Sequence, residues 1–154
     1  MGSESTSFAP IHVHVHGGRW TLFSKDEESF IAPVFVEAGA ICIVIGFSNI
    51  LKVRIPEMVE QVKRALLTNW QKEFGLPANV VKSALLISGT LVYGEKETPE
   101  FKRQPRALAE ALAAAGKPVR LVEIAGVNHF EVLQQFGDAK SELARLALGL
   151  MALA

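Results

Sequence analysis

This sequence has a single cysteine, no surplus of either charge, and no uncharged apolar run long enough to cross a bilayer. Each scarcity excludes something. One thiol, Cys42, cannot close an internal disulfide, and its setting in the apolar run AICIVIG reads as a small buried hydrophobe rather than a reactive group. A reducing, cytoplasmic setting is therefore expected. The 16 Lys and Arg are balanced by 16 Asp and Glu, so no net field gathers nucleic acid or an anionic membrane surface, and neither partner is expected. A span needs roughly 18 uncharged apolar residues; the tail LARLALGLMALA is shorter and carries Arg145. The start, MGSESTSFAP, lacks the basic-then-apolar order of a secretory signal. Met1-Gly2 with Thr6 fits the short N-myristoylation pattern, as many starts rich in small polar residues do. Residues 1–9 are expected to be a flexible tail and residues 10–154 a single domain, because 154 residues, 49% of them apolar, supply one well-buried core and not two.

What is present alternates between two periods. In IHVHV the valines Val13 and Val15 fall on one face and His12, His14 and His16 on the other, the two-residue repeat of a strand that Gly17-Gly18 ends. SKDEESFIAPVFVEAG predicts a helix with Ser24 as N-cap, Glu27 three residues on, an apolar face of Phe30, Ile31, Val34 and Phe35, a kink at Pro33 and a stop at Gly39. AICIVIG predicts a central strand covered on both faces. Pro56 opens a helix whose apolar residues Met58, Val59, Val62, Leu66 and Leu67 run to about Trp70. Further elements are a strand-like SALLISGTLVYG, a helix from Phe101 to Ala115 closed by Gly116, a strand VRLVEIAG after Pro118, and a helix from Lys140 to Leu150. Strands alternating with helices predict an α/β domain with a mostly parallel sheet flanked by helices. In SALLISGTLVYGEK two apolar runs are parted only by Ser88, Gly89 and Thr90, too few for a parallel crossover. They are either one strand bent at Gly89 or a tight hairpin.

The histidine ladder admits a metal site, since alternate strand residues project side by side. No cysteine or carboxylate stands nearby before Asp26, and zinc wants a third or fourth ligand. The plainer reading packs His12 and His14 against the sheet with their ring nitrogens hydrogen-bonded. His16 lies at the strand's carboxyl end, where open α/β sheets bind ligands. Two glycines there bring backbone N–H groups close to a ligand with no side chain in the way, or simply make a tight turn.

HGGRW at that position resembles the α/β-hydrolases, in particular the bacterial esterase and arylformamidase (kynurenine formamidase-like) branch, which carries an HGG turn with a following Trp after an early strand. The resemblance continues through SKDEESFIAPVFVEAGAICIVIGFSNI, PEMVEQVKRAL and LVYGEKETPEFKRQPRALAEALAAAGKPVRLVEIAGVNHFEVL, covering most of residues 10–136. It implies a truncated three-layer α/β-hydrolase fold acting on small esters or aryl formamides, with no cofactor and no metal. It places Gly17 and Gly18 at the oxyanion hole, Glu97 at the triad acid and His129, in GVNHF, at the general base; His16, at the strand's carboxyl end, and Trp20, more often a packing aromatic at a pocket wall than a substrate clamp, are the substrate-pocket candidates. The family acid is commonly Asp, so Glu95 and Glu100 stand as alternatives to Glu97.

The family's G-x-S-x-G nucleophile is absent from all 154 residues. GFSNI offers Ser48 without the second glycine, and Ser88 lies within an apolar run. Together with the short connection at Gly89, this predicts a shortened hydrolase, its alternative being a non-catalytic binding or assembly module. An exposed sheet edge would then offer a route to a homo-oligomer. The hydrolase expectation requires the turn, the carboxylate and the imidazole to meet at one rim of the sheet.

Overall fold

In the computed structural model, which describes residues 9–67, 72 and 91–153, the chain divides into two compact units, Met1–Lys82 and Ser83–Ala154. In the first, β1 (Ile11–Val15) and β2 (Ile41–Ile45) run parallel, with Ile11 opposite Ile41 and Val15 opposite Ile45. The expected tail lies, up to residue 8, outside the described residues. The chain reaches β2 through a turn at residues 17–23, a 3-10 turn at Glu27–Ile31 and α1 (Ala32–Glu37).

The single helix expected from Ser24 to Gly39 is thus divided, and Pro33 is the reason. Its missing N–H leaves the Ser29 carbonyl without an α-helical donor, and its ring disfavours the α conformation of the residue before it. The approach is instead wound as 3-10 structure, with the Ala32 N–H donating to the Ser29 carbonyl, and Pro33 falls in the first turn of α1, where no donor is missed. Ser24 takes part through its carbonyl, which accepts from the Glu28 N–H at 3.2 Å, and not as a side-chain cap. Ile31, Val34 and Phe35 are buried as the periodicity predicts, whereas Phe30 is exposed.

β2 is less covered than its composition predicts. Among the described residues it has one strand neighbour, Ile41 is exposed, and only Ile45 is fully buried. Cys42 is half-buried, and burial pushes its thiol pKa up, away from the reactive thiolate. α2 (Ile55–Leu66) begins with Pro56 in its first turn and buries Met58, while Val59, Leu66 and Leu67 remain exposed.

In the second unit β3 (Val92–Gly94) lies parallel to β4 (Val122–Ile124), joined by α3 (Pro99–Ala114) in a β-α-β crossover. α3 begins two residues before the expected Phe101, because Pro99 suits a first turn, and Gly116 at φ +66° closes it. The expected strand VRLVEIAG narrows to three residues. The choice between a bent strand and a hairpin at Gly89 falls outside the described residues. Next come α4 (His129–Gln134), which the sequence reading lacked, a 3-10 turn at Gln135–Gly137, and α5 (Glu142–Leu150), capped by the Ser141 hydroxyl accepting from the Ala144 N–H at 3.1 Å. Val92, Tyr93, Ile124, Val132, Phe136 and Leu143 form this unit's core. Among the described residues no helix is long and apolar enough to cross a membrane. Helices and parallel strand pairs make the fold mixed α/β, as expected.

Candidate functional site

Two loops at the carboxyl ends of β3 and β4 bring Glu97 and His129 together. β3 ends in Gly94, where a Cβ would collide with the Val127 carbonyl and come within 3.1 Å of the Val132 side chain; only a glycine lets the two loops approach. The Glu95 N–H then donates to the Ile124 carbonyl at 2.8 Å, and the Lys96 N–H to the Val127 carbonyl at 2.9 Å. A tight turn, closed by the Glu97 N–H donating to the Gly94 carbonyl at 3.1 Å, folds the Glu97 side chain back inward, where it is 7% exposed.

On the facing loop Asn128 and Glu131 form a capping box. The Asn128 side-chain oxygen accepts from the N–H groups of Phe130 and Glu131, and the Glu131 carboxylate accepts from the Asn128 N–H at 2.8 Å. This fixes His129 as the first residue of α4, with Nδ1 at 3.1 Å and 3.2 Å from the two Glu97 oxygens. Its ring stacks on Phe101, centroids 4.4 Å apart, and meets the edge of Phe130 at 5.4 Å.

An ionised carboxylate can only accept, so the Nδ1–H of His129 donates to Glu97 and the lone pair is held at Nε2. That is the tautomer a general base needs, and the carboxylate also stabilises the imidazolium formed when Nε2 takes a proton. The alternative acids are engaged elsewhere. Glu95 accepts from the Gly126 N–H at 2.8 Å. Glu100 accepts from Arg103 at 2.7 and 2.8 Å and from Gln104 at 3.0 Å; these hydrogen bonds, Arg103's first, hold its pKa down to about 2.

In the first unit, His16, Gly17, Gly18 and Trp20 share one turn. His16 is buried, its ring stacked on Phe47 at 4.2 Å and its Nδ1 3.0 Å from the Gly17 carbonyl. Gly17 is exposed with open space where a side chain would be. Gly18, at φ +101°, accepts from the N–H groups of Thr21 and Leu22 at 3.1 and 2.7 Å, and a Cβ there would run into the Leu22 carbonyl. Arg19, Trp20 and Phe23 are also left-handed, at φ 52°, 69° and 62°. Each such residue costs about 1–2 kcal/mol, and strain of this kind clusters at functional turns. Trp20 is half exposed, and its carbonyl accepts from the Ile50 N–H at 2.9 Å.

The histidines of the ladder each have a structural task. His12 lies flat on Phe35 at 3.7 Å; burial first, and then the neighbouring His14, lower its pKa to about 4. His14 is buried, with Nε2 3.1 Å from the buried Glu28 carboxylate. Among the described residues no three of His, Cys, Asp and Glu are grouped to hold a metal ion. Ser48 is tied to Gln61, its N–H donating to the side-chain oxygen at 2.8 Å; Ser88 is outside the described residues. The sequence reading missed Glu28, Gly94, Phe101 and Phe130. It also missed the capping box, although N-x-x-E in NHFE is its signature.

No family model matches the chain. Kynurenine formamidase of Danio rerio is 22% identical to it over an alignment of 221 positions, covering 96% of this chain and 75% of the relative. The Salmo salar kynurenine formamidase is 20% identical over 216, covering 92% and 73%. Both alignments are longer than the 154-residue chain itself, so the relatives hold positions inside the matched stretch that have no counterpart here. A crystal structure of a candidate thioesterase from Silicibacter sp. TM1040 superposes with a TM-score of 0.63 at 18% identity, covering 90% of this chain and 76% of that one.

Proposed function

We propose, from the premise that this chain is related to the arylformamidase-like α/β-hydrolases, that it hydrolyses small esters or aryl formamides. The observation that carries the reading is the His129 Nδ1 seated on the buried Glu97 carboxylate. Glu97 orients the ring and Nε2 takes the proton of the attacking hydroxyl group. The attacking oxygen bonds to the carbonyl carbon while the C=O electron pair moves onto oxygen. On collapse the bond to the leaving alcohol or amine breaks, and that group takes the proton back from Nε2. Gly17 and Gly18 are assigned by the family resemblance as N–H donors to the oxyanion, and His16 and Trp20, from the same turn, to the substrate pocket; within that turn Gly17 has open space where a side chain would be and Gly18 is left-handed at φ +101°. The proposal needs no cofactor.

Because no serine stands in a G-x-S-x-G elbow, the attacking hydroxyl in this reading is water, and turnover is slow. Serine proteases stripped of a triad member still retain roughly 10³- to 10⁴-fold catalysis over water. The same missing serine favours one other reading, a binding or assembly module that turns nothing over and pairs with a second copy through its open sheet edge.

The test is turnover of p-nitrophenyl acetate and formanilide with and without chelator, alongside a fluorophosphonate serine probe read by mass spectrometry. Chelator-resistant turnover that disappears in His129→Ala, with no probe adduct, supports the water mechanism. A serine adduct replaces water with that serine as nucleophile. A folded protein with neither turnover nor adduct is the binding module, and turnover that chelator removes would require a metal mechanism.

A further inference from the structure

We infer that Glu95 is a positioning residue for the Glu97–His129 pair, its carboxylate bridging the two loops that carry them. The backbone ladder of β3 and β4 is last joined where the Glu95 N–H meets the Ile124 carbonyl. Two residues on, Gly126 adopts φ +74°, a left-handed turn that takes its N–H out of the ladder's repeat. The Glu95 carboxylate collects that N–H at 2.8 Å, from 31 residues away along the chain. The Lys96 N–H then takes the Val127 carbonyl. Three rungs therefore lace the loops together, and the middle one is a side chain. Glu97 follows Lys96 directly, and His129 lies two residues past Val127, so little chain separates the clamp from the pair it holds.

A carboxylate accepting from a backbone N–H makes a charge-assisted bond, stronger than a neutral one and directional. Glu95 is exposed and outside the core. Its removal should leave the unit folded and loosen only what the clamp positions. This separates a positioning role from a stabilising one. Of the other restraints, the Gly94 close approach meets the facing loop at Val127 and the Asn128–Glu131 capping box fixes the helix start, and neither supplies the Gly126 bond.

The inference rests on the reading of Glu97 and His129 as the working pair, but its readout needs no turnover, so a chain that hydrolyses nothing still answers it. The measurement is exchange with water of the His129 Nδ1–H by NMR, with Glu97→Ala marking the fully released proton. Glu95→Ala should speed that exchange about five- to tenfold, the value of one lost hydrogen bond. Glu95→Gln, whose amide oxygen accepts the same bond, should restore it to within about twofold. Protection of the Val122 amide, which donates to the Leu91 carbonyl at 3.0 Å, reports that each variant is folded. Should Glu95→Ala fail to fold, Glu95→Asp, one methylene too short for Gly126, must show the faster exchange. Wild-type exchange in the folded Ala or Asp variant overturns the inference. So does a Gln variant that exchanges as fast as Ala, since the effect would then be charge and not a held bond.

Discussion

His14–Glu28 and His129–Glu97 join the same two side-chain types across the same 3.1 Å, yet they differ in the ring nitrogen used and in how far the ring is sealed. His14 spends Nε2, the nitrogen at the tip of its ring, on the carboxylate, and both partners are sealed at 8% and 4% exposure. His129 spends Nδ1, the nitrogen next to its own backbone, and so turns its tip away from Glu97, with the side chain 29% exposed over a buried acid. A short imidazole–carboxylate distance therefore does not mark a working base. The nitrogen used and the exposure of the ring set the two pairs apart, and the base role proposed for His129 rests on that difference.

The largest expected effect separates the two pairs by what breaks. If the chain turns over p-nitrophenyl acetate, His129→Ala should cost about 10³-fold, within the range for loss of a general base, and should also lower the urea midpoint, because it strands the buried Glu97 carboxylate. Next in size is the sealed pair. Glu28→Ala leaves the buried His14 nitrogen without its carboxylate and should cost about 3 kcal/mol by urea unfolding, whereas His14→Leu combined with Glu28→Leu should fall within about 1 kcal/mol of wild type, because no polar group is then stranded. A neutral Glu28→Ala would show that the pair carries no structural weight and that burial alone misled.

The contrast also explains which parts of the molecule could be read from the chain. β1, β2 and the parallel pairing followed from alternation and from the continuous apolar run, and the end of α3 from Gly116, whereas the starts of α3 at Pro99 and of α5 behind Ser141 were not read. These signals are local. Glu97 and His129 were legible through the family resemblance, and the structure seats their side chains together while Glu95 and Glu100 go to other partners. Glu28 was not legible. It follows Glu27 in an acidic run, and nothing in SKDEESF says which carboxylate turns inward until Pro33 forces the approach into 3-10 structure. Gly94 was equally silent, because its need arises from a carbonyl 33 residues on, at Val127.

An effect of the same order belongs to the ladder's first histidine. His12 has a folded pKa lowered to about 4 from 6.5. Between those values the unfolded chain binds a proton that the folded chain refuses, so the stability His12 contributes is fully present above pH 6.5 and is lost as pH falls to 4. The urea midpoint should decline across that window, and His12→Phe, which keeps a ring against Phe35, should remove His12's share of the decline. An equal decline in the variant would assign the acid sensitivity to the other groups around β1, His14, His16 and Glu28.

The smallest expected effect is a null result that tests the acid. Glu100 is the most strongly perturbed carboxylate among the described residues that shift, yet its hydrogen bonds to Arg103 and Gln104 lie on the exposed face of α3, where solvent screening strips an i, i+3 pair of most of its value. Glu97 is buried against the imidazole, where the same kind of contact is not screened. Glu100→Gln should therefore leave both turnover and the unfolding midpoint at neutral pH unchanged, while Glu97→Gln lowers turnover about 10²-fold or more, because an amide can present a donor to Nδ1 and so hold the wrong tautomer. If the two substitutions lowered turnover equally, the perturbation of a carboxylate would matter more than its place beside His129, and the distinction drawn between sealed, open and surface pairs would collapse.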